Sequence, residues 1–122
     1  YYFKGDPDVV KKMVNYLDHY DIIEISLITY YEIMSGLLAK NAFKQLAIFE
    51  EFILGNDIIP LTEKSAKISA EIYSSLRQSG NTIDDTDLLI AGIAIENNMT
   101  LVTNNDKHFN RIPGLKTENW KN

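Results

Sequence analysis

Residues 85–106, DTDLLIAGIAIENNMTLVTNND, decide how this chain folds. Asp85-Thr86-Asp87 give way to Leu88-Leu89-Ile90-Ala91-Gly92-Ile93-Ala94-Ile95, the most apolar run in the sequence, which Asn97-Asn98 close. Such a run predicts the most apolar helix of the chain, with its acids at the N-terminal end where the macrodipole favours them. Thr100-Leu101-Val102-Thr103 then reads as a short strand, followed by a polar turn that contains Asp106. Strands separated by helices imply crossover connections and hence an α/β domain with a parallel sheet.

The same alternation extends upstream. Asp6-Pro7 reads as an N-cap with proline at the first helical position, and Val9, Val10, Met13, Val14 and Leu17 carry that helix to about Tyr20. Ile22 to Leu27 is expected as a strand, and Thr29 as the cap of a helix to about Lys40, with Gly36 a weak point inside it. From Asn41, the run AFKQLAIFEEFIL continues as helix until Gly55, and Asp57 to Leu61 forms a short strand. Thr62 caps a long helix closed by Gly80, with Ala66, Ile68, Ala70, Ile72, Tyr73 and Leu76 expected inward. After Thr103 the reading is of loop and tail, with His108-Phe109, Pro113-Gly114 and Trp120.

Composition narrows the class. At 122 residues with 45% hydrophobic and 24% charged residues, the chain is expected to form a single domain, 1–122. No apolar run reaches the roughly 18 residues of a membrane span. Cysteine is absent, which excludes disulfides and thiolate zinc sites and suits a reducing cytoplasm. The net charge of −5 argues against a module that holds nucleic acid through phosphate neutralisation alone. It is compatible with a metal-dependent nuclease, where cations offset clustered carboxylates.

Glu32, Asp87 and Asp106 are the acids whose positions matter. Ligands of open parallel sheets bind beyond the carboxyl ends of the strands, and Glu32 and Asp106 both follow expected strands. Asp87 stands at the first turn of the helix that feeds the last strand. Acids gathered at one edge call for a divalent cation such as Mg²⁺ or Mn²⁺. Each has a plainer reading. Glu32 completes a T-x-x-E capping box with Thr29, and Asp84, Asp85 and Asp87 suit a helix N-terminus. Asp106 suits an Asx-turn. His108 reads as a loop histidine, and His19 as a partner of a helix C-terminus. No nucleophilic triad or glycine-rich phosphate loop can be assembled.

SLITYYEIMSG around Glu32, DTDLLIAGIAIENNMTLVTNND from Asp85, and KHFNRIPGLKTENW at the end together resemble the PIN-domain family, in particular its VapC-type toxins. The resemblance spans essentially the whole chain. It implies a three-layer α/β domain, a central parallel sheet flanked by helices, with a Mg²⁺ or Mn²⁺ site of about four acids. Carried over by position, Glu32, Asp87 and Asp106 are the catalytic, metal-holding residues. Asp85 and Asp84 are poorer matches than Asp87, and His108 stands where some relatives place their last acid. Thr103 and Asn105 resemble supporting residues of the polar turn. The implied activity is metal-dependent endoribonuclease cleavage of RNA by a toxin–antitoxin toxin acting in the cytoplasm, away from membranes. The implied partners are a VapB-like antitoxin and a second toxin copy, in a homodimer or hetero-oligomer. Too many apolar residues crowd Phe43, Leu46, Ile48, Phe49, Phe52, Ile53 and Leu54 for one buried stripe, so part of that helix is either a partner groove or core on two sides.

Family members begin with a strand ending in an Asp upstream of a stretch like YYFKGDP. The chain is therefore expected to be N-terminally truncated, lacking that strand and acid, and to be crippled as it stands. A degenerate PIN module that binds RNA or protein without cutting is the alternative. A receiver-like phosphoacceptor domain would need a lysine after a late strand, which Val102-Thr103-Asn104-Asn105 does not offer.

Overall fold

The computed structural model describes residues 24–103 and 109–119. The expected helix over 7–20 and the residues Ile22, Ile23, His19 and Trp120 lie outside them. The chain divides into two compact units at Ile59–Pro60, and each is taken by itself.

In the first unit, β1 (Ile25–Ser26) runs directly into α1 (Leu27–Ala39), followed by α2 (Phe43–Leu54) and β2 (Ile58–Ile59). The two strands pair in parallel, Ile25 opposite Ile58 and Ser26 opposite Ile59. Pro60, which has no N–H to donate, ends the second strand at Ile59, two residues short of the expected Leu61. Asn41 ends α1 in the left-handed conformation with φ 53°. Its N–H donates to the Leu38 carbonyl (3.1 Å) and that of Ala42 to Leu37 (3.0 Å), the paired bonds of a Schellman motif. This turn separates α1 from α2. Phe49 is fully buried and stacks on Tyr30 and Phe52, with centroids 5.9 Å and 6.1 Å away. Each such pair adds about 0.5–1.5 kcal/mol beyond area burial.

The second unit holds α3 (Glu63–Gln78), α4 (Asp85–Glu96), β3 (Thr100–Thr103) and β4 (Lys116–Asn119). The last strand corrects the expected tail. It pairs in parallel with β3, from Thr100 opposite Lys116 to Thr103 opposite Asn119. Lys116-Thr117-Glu118-Asn119 has no apolar member, so periodicity gives no sign of it; its partner is the buried Leu101-Val102 strand.

Thr62 caps α3 as expected, in a reciprocal box with Ser65: the Ser65 N–H donates to Thr62 Oγ1 (3.1 Å) and the Thr62 N–H to Ser65 Oγ (2.9 Å). Thr62 Oγ1 also donates to the Glu96 carboxylate at the far end of α4. Gly80, at φ +79°, closes α3 in a conformation that costs glycine nothing. The buried stripe differs from the expected one. Ser65, Ser69, Ile72 and Leu76 face inward, whereas Ala70 and Tyr73 are exposed. Small polar residues replace the expected alanines because α4 approaches there through Gly92. A Cβ on Gly92 would stand 2.0 Å from Ser69 Oγ and 2.5 Å from the Ser65 carbonyl oxygen. Ser69 Oγ donates to the Leu88 carbonyl (2.7 Å), so the buried hydroxyl is satisfied across the crossing. α4 is buried almost all round, from Asp87 and Leu88 through Ile90–Ala94, in keeping with its apolar composition. Asn98, at φ 52°, ends it with a second Schellman pair, Asn98 N–H to Ile95 and Met99 N–H to Ala94.

Candidate active site

Two of the three acids fall within the described residues, Glu32 in the first unit and Asp87 in the second. Glu32 owes its position to the strand–helix junction. Ser26 is at once the last residue of β1 and the N-cap of α1, extended at φ −73°, ψ 155°. Its Oγ accepts the Thr29 N–H (3.0 Å) and donates to Thr29 Oγ1 (3.0 Å). Thr29 is therefore not the cap, and the expected strand over Ile22–Leu27 is already over at Leu27. The correction matters for Glu32. With the helix beginning at Leu27, Glu32 lies in the second turn, beyond reach of any unsatisfied N-terminal N–H, so the capping-box explanation fails. Glu32 is half-buried with Oε1 fully enclosed, on the side of α1 shared by the buried Thr29 and Ile33.

Asp87 is distinguished by burial. Asp84 takes the N-cap position of α4 and Asp85 the first helical one, and both side chains are exposed. Asp87, two residues on, is 1% exposed, with Oδ1 enclosed. An acid at a helix start gains about 0.3–1 kcal/mol from the dipole while remaining in water. Enclosing an ionised carboxylate costs several kcal/mol before compensation. The dipole alone accounts for Asp84 and Asp85, therefore, and not for Asp87. Asp87 is thus the one acid of the three that is enclosed at the head of α4.

The remaining expected site residues are described in part or not at all. Thr103 is the last residue of β3 and only its backbone is described. Asn105, Asp106 and His108 lie outside the described residues. Among the described residues no three His, Cys, Asp or Glu side chains are grouped to hold a metal, and no helix is long and apolar enough to cross a membrane. The donor chemistry of Glu32 and Asp87 nevertheless fits a hard cation: both offer carboxylate oxygens with an enclosed atom, and the chain has no thiolate to compete.

Sequence reasoning missed the Ser26 cap because S-x-x-T at Ser26–Thr29 overlaps T-x-x-E at Thr29–Glu32, and the second is the better-known box. The Gly92 crossing was legible in hindsight from Ser65 and Ser69, four apart on α3, opposite a glycine inside an apolar helix.

Comparison with known proteins identifies the family. The PIN domain family matches residues 1–115. Ribonuclease VapC2 of Rickettsia felis is 36% identical over 121 residues, covering 98% of this chain and 90% of that protein. The tRNA(fMet)-specific endonuclease VapC of Shigella flexneri is 31% identical over 97 residues, 79% of this chain and 74% of its own length. Among solved structures, VapBC2 from Rickettsia felis bound to a DNA fragment from its promoter superposes with a TM-score of 0.77 at 36% identity, covering 96% of this chain and 89% of that one. Parallel strand pairs joined through helices, the buried acid heading an apolar helix and these matches agree: the chain has the α/β PIN fold and belongs to the PIN-domain family, among its VapC-type members.

Proposed function

We propose that this protein is the ribonuclease toxin of a toxin–antitoxin pair, an endoribonuclease that hydrolyses RNA phosphodiesters in the cytoplasm with a divalent cation, Mg²⁺ or Mn²⁺. The observation that carries the reading is the selective burial of Asp87, the acid that opens the D-L-L-I-A segment, beside two exposed neighbours of the same type. The matched relatives, named as ribonucleases and as a tRNA(fMet)-specific endonuclease, support RNA as the substrate class. The family match runs across both compact units, and we read them as one domain.

Glu32, Asp87 and Asp106 would hold the cation, with Thr103, Asn105, His108 and Asp85 in supporting places. A bound divalent cation supplies charge to a phosphoryl oxygen and acidifies water near neutral pH. The protein's own part is positional. Asp87 is fixed by α4, whose packing on α3 leaves it little freedom, and Glu32 by the loop-free junction of β1 and α1. Enclosure of their oxygens keeps bulk water from competing and strengthens their attraction for a cation.

The partner is a VapB-like antitoxin in a hetero-oligomer, as the likeness to the VapBC2 complex suggests. The apolar surplus on α2 divides as a partner surface requires: Phe49 is core, whereas Phe43 (66% exposed), Ile48 and Leu54 (89%) face outward. Tyr31 and Leu38 on α1 are exposed too. Solvent-facing aromatic and aliphatic side chains of this number favour an amphipathic helix as ligand.

The test is cleavage of end-labelled RNA, a tRNA pool beside an unstructured oligomer, by the purified full-length protein with Mg²⁺, with Mn²⁺ and with EDTA. Cleavage with either cation that EDTA abolishes is the expected result. Binding of RNA with no cleavage under any condition would assign the chain to the non-cutting class of PIN module.

A further inference from the structure

From the Ser26–Thr29 hydroxyl pair we infer that Thr29 is a positioning residue for Glu32, an inference that rests on the catalytic reading of Glu32 proposed above. β1 passes into α1 with no loop residue between them, so the direction in which α1 leaves the strand is set at Ser26. There the two hydroxyls are locked together. Ser26 Oγ accepts the Thr29 N–H and gives its proton to Thr29 Oγ1, both at 3.0 Å, and both residues are buried, Thr29 at 1% exposure.

A helix cap alone does not call for this arrangement. The backbone bond from Thr29 N–H to Ser26 Oγ already satisfies the cap, and an alanine or valine at position 29 would preserve it. The added bond between the hydroxyls, enclosed in the unit, fixes the Ser26 and Thr29 side chains against each other and leaves the Thr29 O–H proton as a donor in its own right. Glu32 follows Thr29 by three residues, on the same side of the helix.

Geometry amplifies small errors at this junction. Glu32 stands six residues beyond Ser26, about 9 Å along the axis at ~1.5 Å per residue. A tilt of ~10° at the cap displaces it by roughly 1.5 Å, beyond the ~0.5 Å within which catalytic groups must be held. Loosening the pair therefore moves the carboxylate without removing it.

The experiment compares Thr29→Val, Thr29→Ser, Ser26→Ala and Glu32→Gln in the full-length protein, well below their melting temperatures. It reads Mn²⁺ affinity by calorimetry, and kcat and KM for Mg²⁺-dependent RNA cleavage. Thr29→Val is expected to weaken Mn²⁺ binding about 10-fold, as loss of a group that orients a ligand does, and to lower kcat similarly with KM within ~2-fold. Thr29→Ser should restore both to within ~3-fold of the unmodified protein, since it returns the hydroxyl. A purely structural role would lower the melting temperature of Thr29→Val and leave Mn²⁺ affinity of the folded protein unchanged; that result overturns the inference. So does a Thr29→Ser variant as impaired as Thr29→Val. If Thr29→Val fails to fold, Ser26→Ala takes its place, because it removes the same hydroxyl bond, together with the cap bond from the Thr29 N–H: unchanged Mn²⁺ affinity there refutes the inference. Glu32→Gln separates the two levels. Weakened Mn²⁺ binding in Glu32→Gln with none in Thr29→Val rejects the positioning role alone, whereas unchanged binding in Glu32→Gln rejects the catalytic reading as well.

Discussion

Asp87→Asn in the full-length protein is expected to lower Mg²⁺-dependent RNA cleavage by ~10²–10³-fold while the protein stays folded. The magnitude follows from what a cation ligand contributes. Charge stabilisation by a bound metal is worth several kcal/mol in the transition state, and each 1.36 kcal/mol is about tenfold in rate. Asn is close to isosteric with Asp and keeps a carbonyl oxygen in place, but it removes the formal charge that attracts the cation. Asp87 sits third in α4, and Asn at that position keeps an oxygen that can accept a helix-start N–H. The melting temperature should accordingly stay within a few degrees of the unmodified protein, and circular dichroism checks this alongside the rate. Glu71→Gln, an exposed carboxylate on α3, is the control and should stay within ~2-fold. An Asp87→Asn variant that cleaves at the unmodified rate would remove the site assigned here.

The largest stability effect should come from Gly92→Ala. Helix propensity alone favours this change by about 1 kcal/mol, so a gain is the naive expectation. The crossing with α3 reverses it. The added Cβ would meet Ser69 Oγ at 2.0 Å and the Ser65 carbonyl oxygen at 2.5 Å. Ser69 can rotate away only by giving up its bond to the Leu88 carbonyl. The Ser65 oxygen belongs to the α3 backbone and moves only if that helix does. Overpacking of this kind costs about 1–3 kcal/mol, and the lost buried hydrogen bond about 1–3 more. Net destabilisation of roughly 2–4 kcal/mol corresponds to a fall in melting temperature of ~10 °C. Adding Ser69→Ala should not restore stability, because the backbone contact remains. A melting temperature at or above the unmodified protein's would show that the two helices are farther apart than described. Since α4 also carries Asp87, the same shift should depress cleavage.

How much was readable in advance depended on whether a residue's partner was near it in sequence. α4 announces itself through an unbroken apolar run with acids before it and an asparagine pair after it, and the structure places it at Asp85–Glu96. Thr62 and Gly80 are local signals, and they bound α3 as read. The failures are matters of tertiary context. β4 is polar throughout and exists because β3 offers a parallel edge. The inward face of α3 holds Ser65 and Ser69 in place of larger side chains because Gly92 comes close from α4, some two dozen residues away. At the site, a helix-start reading suits Asp84, Asp85 and Asp87 alike, the family resemblance favours Asp87, and Asp87 is also the one of the three that is buried. For Glu32, the local pattern suggests a capping box with Thr29 that the structure does not form. Only the position of the Ser26 cap shows that Glu32 does not serve the helix end.

The proposal that Glu32, Asp87 and Asp106 hold a cation is tested most sharply by calorimetric titration of Mn²⁺ into the full-length protein and its Asp87→Asn variant, without RNA. Saturable binding by the unmodified protein, weakened at least ~10-fold in the variant, is the predicted result. Equal binding by both proteins, or none by either, would contradict the account.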